Sequence, residues 1–113
     1  STVSVIEMPF SGSGGQTTNV GDRATPYRPR QSCLAYRVNI EADTAGASGA
    51  TTFTVLVDDA SIGSIVLPNG VDTGFTDLPS AVFLDDTNLV NVECTGAGGH
   101  LGISITLLAV PSS

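Results

Sequence analysis

A chain of 113 residues is long enough for one ordinary domain and too short for two. Hydrophobic residues make up 41% and charged residues only 13%, about half the usual share of roughly 25%. That balance excludes a disordered chain, and the net charge of −7, reached without a single lysine, argues against nucleic-acid or anionic-membrane partners.

All positive charge resides in Arg23, Arg28, Arg30 and Arg37, and nine of the eleven carboxylates follow Arg37. The sequence therefore has a mildly basic end and an acidic body. Residues 1–9 lack the basic and apolar regions of a signal peptide, and no apolar run approaches the roughly 20 residues that span a bilayer.

In chain order, Thr2 to Met8 reads as a short strand rich in β-branched residues. Residues 9–31 then lose all periodicity and carry repeated Gly and Pro. This reads as an extended arm lying across a surface, its own or a neighbour's. From Ser32 the sequence alternates: Leu34, Tyr36, Val38 and Ile40 on one face, Ala35, Arg37, Asn39 and Glu41 on the other. A flexible turn over 44–50 leads to a strand from Thr51 to Val57, with Phe53, Val55 and Val57 inward. Asp58-Asp59 turns the chain into a strand from Ser61 to Leu67, and Pro68-Asn69-Gly70 turns it again. Weaker strands, Val71 to Leu78 and Ser80 to Leu84, flank Pro79. After a turn over 85–88, Leu89 to Cys94 and His100 to Val110 complete the chain, separated by a glycine-rich turn. The last strand offers Leu101, Ile103, Ile105, Leu107 and Ala109 as one apolar face.

Seven or eight strands with frequent turns and no 3.6-residue period predict an all-β fold. An antiparallel β-sandwich, most plausibly a jelly roll, is expected. An immunoglobulin-type sandwich is the alternative, weakened by the absence of Trp. The organisation expected is an N-terminal strand and arm over 1–31 and a sandwich over 32–113.

Catalytic chemistry is not evident. The single histidine, His100, follows Gly98-Gly99 and reads as a surface turn residue. No serine sits in a nucleophile elbow, and the glycine-rich stretch 11–15 fits neither phosphate-binding pattern. Cys33 and Cys94 lack metal-ligand spacing and read as buried free thiols. Asp58-Asp59 and Asp85-Asp86 offer oxygens that calcium accepts, but without an ordered spacing they read as solvated turn aspartates. No catalytic residue, cofactor or metal site is therefore expected.

The arm carries the most specific signal. Arg23, Tyr27, Arg28 and Arg30 are interleaved with prolines that hold the segment extended, and Arg and Tyr are enriched in protein interfaces. These four are the expected protein-contact residues.

The stretches Ala50 to Leu67 and Asn88 to Ala109 resemble the paired strands of small jelly-roll virion proteins of tailed bacteriophages, namely capsid decoration (cement) proteins and fibre-head domains. The likeness covers roughly residues 32–110 and lies in Thr/Val strands, Gly-rich turns and the absence of Lys; it carries over no functional residue. It implies a capsid decoration protein on the virion surface, a homo-oligomer (dimer or trimer) contacting the major capsid protein or another virion protein. The alternative it implies is a trimeric receptor-binding head that takes a glycan or a protein.

Overall fold

A computed structural model describes residues 4–9 and 19–111 of the chain. Seven strands follow one another: β1 (Ser4–Pro9), β2 (Cys33–Thr44), β3 (Thr51–Val57), β4 (Ala60–Leu67), β5 (Thr73–Leu84), β6 (Val90–Gly96) and β7 (Leu101–Pro111). They form two antiparallel sheets, ordered β1-β7-β2-β5 and β4-β3-β6. The described residues contain no helix, as expected where apolar residues recur at every second position. Strands adjacent in space are mostly distant in sequence, so the chain repeatedly crosses between the sheets. The fold is the expected jelly-roll β-sandwich.

The inner faces meet in one core. Phe53 and Val55 of β3, Ile65 and Leu67 of β4, and Val90 and Val92 of β6 pack against Val38, Ile40, Leu84, Ile103, Ile105 and Leu107. Each such side chain stabilises the fold by about 1.5–3 kcal/mol relative to its exposed state. That exceeds what exposed ion pairs contribute, so the sandwich rests on these inward positions. Cys33 and Cys94 lie in the same core as free thiols, and burial pushes both above the ordinary thiol range.

Strands β2 and β5 depart from the expected reading. In β2, Ala35 is in the core and Leu34 is half-buried on the outer face, the reverse of the expected arrangement. The cause is a β-bulge: Ala35 and Arg37 oppose the consecutive residues Ala109 and Leu108, so Tyr36 is the extra residue and the facing flips there. The two weak strands expected around Pro79 are one strand, β5. Its ladder with β2 skips from Asp77 to Val82, and residues 78–81 leave the pairing around Pro79, whose nitrogen has no hydrogen to donate.

The described part of the expected arm lies on its own sandwich. Residues 21–27 descend along the free edge of β6, through hydrogen bonds Gly21 N to Cys94 O, Cys94 N to Asp22 O, Ala24 N to Val92 O and a reciprocal Tyr27–Val90 pair. Ala24, 3% exposed, joins the core, and Tyr27 packs against it. β1 pairs with β7 over Ser4–Pro9. Core residues therefore come from both sides of the expected boundary at 31/32. The residues expected to be loop between 9 and 18 lie outside the described residues, except for Pro9 in β1.

Candidate functional site

The descent of residues 21–27 along β6 places basic side chains beside the β3–β4 turn. Alternation on this edge sends Ala24 inward and Arg23 outward, where it pairs with Glu93 across the bridge between the two segments. Arg23 Nε and Nη2 donate to Glu93 Oε1 at 3.0 and 2.7 Å, and Nη1 donates to Asp59 Oδ1 at 3.2 Å. One guanidinium thus ties the arm to β6 and to the β3–β4 turn. Its hydrogen bonds to Asp59 first, and to Glu93 next, hold its proton more tightly than usual.

The turn is tight. Asp58 and Asp59 both take positive φ, +52° and +68°, the backbone of a two-residue hairpin loop whose twist suits the flanking strands. Aspartate tolerates this conformation better than most residues with a side chain. The Asp58 carboxylate accepts from Asn88 Nδ2 at 2.8 Å and from Leu89 N at 2.9 Å, while Asp58 N donates to Leu89 O. These bonds, Asn88 first and Leu89 second, hold its carboxyl below the usual carboxylate value. Asp85 does similar work in the β5–β6 loop. Its Oδ1 accepts from the Thr87 hydroxyl and the Thr87 amide, and both lower its carboxyl. The paired aspartates are therefore turn fasteners as well as solvated acids.

Between these elements lies an open cleft of about 480 Å³ lined by Arg23, Arg28, Asp58, Asp59, Leu89 and Asn91. Arg28 reaches it from the arm and donates to Asp86 O at 3.4 Å. Leu89 exposes an apolar patch within this polar ring, and Asn91 stands on the outward side of β6. The cleft offers guanidinium and amide donors, carboxylate and amide acceptors, and one aliphatic surface.

Of the four expected contact residues, Arg23 and Arg28 line the cleft, Tyr27 is half-buried against the core and Arg30 is exposed beyond it. Leu89, Asn91 and Glu93 were not anticipated. Their signal was present in the alternation of β6, which puts Val90, Val92 and Cys94 inward and the residues between them outward.

His100 is not a surface turn residue; it is fully buried. Its Nε2 lies 2.8 Å from Val71 O, and its Nδ1 lies 2.6 Å from Thr51 Oγ1, which accepts from Gly98 N at 2.8 Å. Because a carbonyl only accepts, Nε2 carries the proton and Nδ1 accepts from the Thr51 hydroxyl. The imidazole thus clasps the loops after β2, β4 and β6 at the end opposite the cleft. Here glycine is required for space: a Cβ on Gly46 would strike the His100 ring and the Gly98 carbonyl, and one on Gly98 would strike Gly49.

Comparison with known proteins bears on the fold. No protein-family model and no curated protein sequence matches the chain. Among solved structures it is similar to a family 35 carbohydrate-binding module from an environmental isolate, with 17% identity, 100% of this chain and 94% of the other covered, and a TM-score of 0.60. It is also similar to a carbohydrate-binding module of family 36 in complex with calcium and xylotriose, at 12% identity, 97% and 99% coverage, and a TM-score of 0.55. A third similar structure is the Podospora anserina GH26-CBM35 β-(1,4)-mannanase, at 16% identity and a TM-score of 0.58, where 98% of this chain is covered but the chain spans only 28% of the enzyme. The structural superpositions show a shared jelly-roll sandwich. Of these three, the two matched over nearly their whole length are carbohydrate-binding modules, and none points to a bacteriophage.

Proposed function

We propose that this chain is a carbohydrate-binding domain and that the cleft between the arm, the β3–β4 turn and the start of β6 is its ligand site. The observation that carries this reading is the cleft's chemistry. A sugar presents closely spaced hydroxyls that both donate and accept, beside faces of C–H bonds. Arg28, Asn91 and Asp59 supply planar donors and acceptors for the hydroxyls, and Leu89 supplies the surface for the C–H face. The cleft's volume lies within the roughly 300–1,000 Å³ of small-molecule sites. The likeness to binding modules supports the same reading.

Calcium, present in the family 36 complex, does not fit this cleft. No group of three or more metal-ligating side chains occurs among the described residues. Both Asp58 oxygens already accept hydrogen bonds, and the Arg23 guanidinium, a cation itself, lies against Asp59 and Glu93. The ligand contacts proposed here are therefore direct.

Affinity electrophoresis against a panel of soluble plant and microbial polysaccharides tests the proposal. At least one gel is expected to retard the protein, and Arg28→Gln with Asn91→Ala to restore free migration at unchanged melting temperature. Free migration through every gel, or retardation indifferent to these substitutions, contradicts it.

A further inference from the structure

The outer faces of the two sheets differ in kind. On the β4-β3-β6 sheet the outward positions include Thr52, Thr54, Ser64, Asn91, Glu93 and Thr95, a hydroxyl- and amide-rich surface onto which the cleft opens. On the β1-β7-β2-β5 sheet, Phe83 pairs with Leu34 and Leu34 with Val110 in one row, and Arg37 with Leu108 in the next. Phe75 lies beyond, opposite Asn39. Phe83 is 52% exposed and Phe75 59%, while Leu34, Tyr36, Leu108 and Val110 are half-buried. In a chain with only six aromatic residues, two Phe side chains face outward on one sheet, with Tyr36 at the bulge between their rows. Contiguous exposed apolar surface of this kind marks an interaction site.

We propose that this face joins two copies of the chain into a twofold-symmetric dimer. Three observations select a second copy as the occupant. The first is extent. Three strands of eleven or twelve residues, plus the shorter β1, cover roughly 600 Å² in plan at about 4.8 Å spacing and 3.3 Å rise. Projecting side chains raise the accessible area toward the roughly 800 Å² each partner contributes to a standard interface. The second is charge. Arg37 Nε donates to Asp77 Oδ1 at 2.6 Å and its guanidinium lies 4.4 Å from the Phe75 ring centroid, so the charges central to this face cancel within one copy. The exposed carboxylates that β2 carries on this face, Glu41 and Asp43, lie at the end away from the Phe83–Leu34–Val110 row. The third is polarity. Leu34 and Val110 share the Phe83 row and Leu108 lies in the next, beside the Arg37–Asp77 pair, and these apolar side chains suit a dry contact. A twofold contact uses the same patch on both copies. It also leaves the two clefts open on opposite sides of the pair, where one polymer or surface can engage both with increased avidity.

Sedimentation equilibrium of the full chain from micromolar to millimolar concentration tests this. The expected result is a concentration-dependent rise to twice the 11.4 kDa chain mass, abolished by Phe83→Ser and by Leu108→Glu and unaffected by Thr54→Glu on the opposite face. Should the face variants not fold, dilution of the wild type followed by methyl NMR gives the same reading: Leu34, Leu108 and Val110 signals move, and Val66 signals do not. A single-chain mass throughout, or a dimer indifferent to Phe83→Ser and Leu108→Glu, overturns the proposal. So does a monomer whose retention by a polysaccharide is lost with Phe83→Ser, which would make the face a glycan platform. Cleft binding is read separately with Arg28→Gln, so failure of one proposal leaves the other standing.

Discussion

Replacing Thr51 by valine isolates the clasp at the end of the sandwich away from the cleft. The substitution keeps the branched shape and removes one hydroxyl, which accepts from Gly98 N at 2.8 Å and donates to His100 Nδ1 at 2.6 Å. Both partners stay buried with nothing else to bond among the described hydrogen bonds, and a buried polar group left unsatisfied costs about 1–3 kcal/mol. Two such groups give a loss of about 2–6 kcal/mol, a large part of the stability of a domain this size. At about 4 °C per kcal/mol, the melting temperature falls by roughly 8–24 °C. Thr51→Ser keeps the hydroxyl and is expected to lose only about 1 kcal/mol, for the missing methyl. Urea unfolding of both variants at neutral pH measures the difference. If Thr51→Val unfolds within about 0.5 kcal/mol of the wild type, the buried His100 network is not the clasp described and the reasoning fails.

Acid should act through the turn carboxylates. Asp58 and Asp85 are held below their ordinary value near 3.8, so each contributes stability that is full above that value and is lost as pH falls through the lowered one. Urea midpoints between pH 6 and 2 should decline below about pH 4, less steeply in Asp58→Asn. Gly98→Ala places a Cβ against Gly49 and should lower the melting temperature more than the same change at Gly70, where the added Cβ meets open space and only the positive φ, +76°, opposes it. A thiol reagent should leave the native protein unmodified and label two cysteines once urea unfolds it, because Cys33 and Cys94 are buried free thiols.

The strands were legible because period-two alternation and Pro-Asn-Gly or Asp-Asp turns are local signals. Phe53, Val55, Ile103, Ile105 and Leu107 lie in the core as the pattern predicts. Features set by distant partners were not legible. The bulge at Tyr36 depends on how β2 registers against β7, so alternation alone puts Leu34 and Ala35 on the wrong faces. His100 looks exposed beside Gly98-Gly99, yet its partners come from Val71 and Thr51, 29 and 49 residues away. The arm's arginines stood out in the sequence. Their pairing with Glu93 and Asp59 required knowing that residues 21–27 descend along β6, a pairing that Pro26 interrupts and no periodicity announces.

The central claim is that the cleft binds sugar. Titration of ¹⁵N-labelled protein with an oligosaccharide from whichever polysaccharide retards it reads that claim residue by residue. The amides of 23, 28, 58, 59, 89 and 91 should shift together and saturate, with 34, 75, 83 and 108 unmoved. Saturating shifts on the Phe75–Phe83 face or around His100, with the cleft silent, would contradict it.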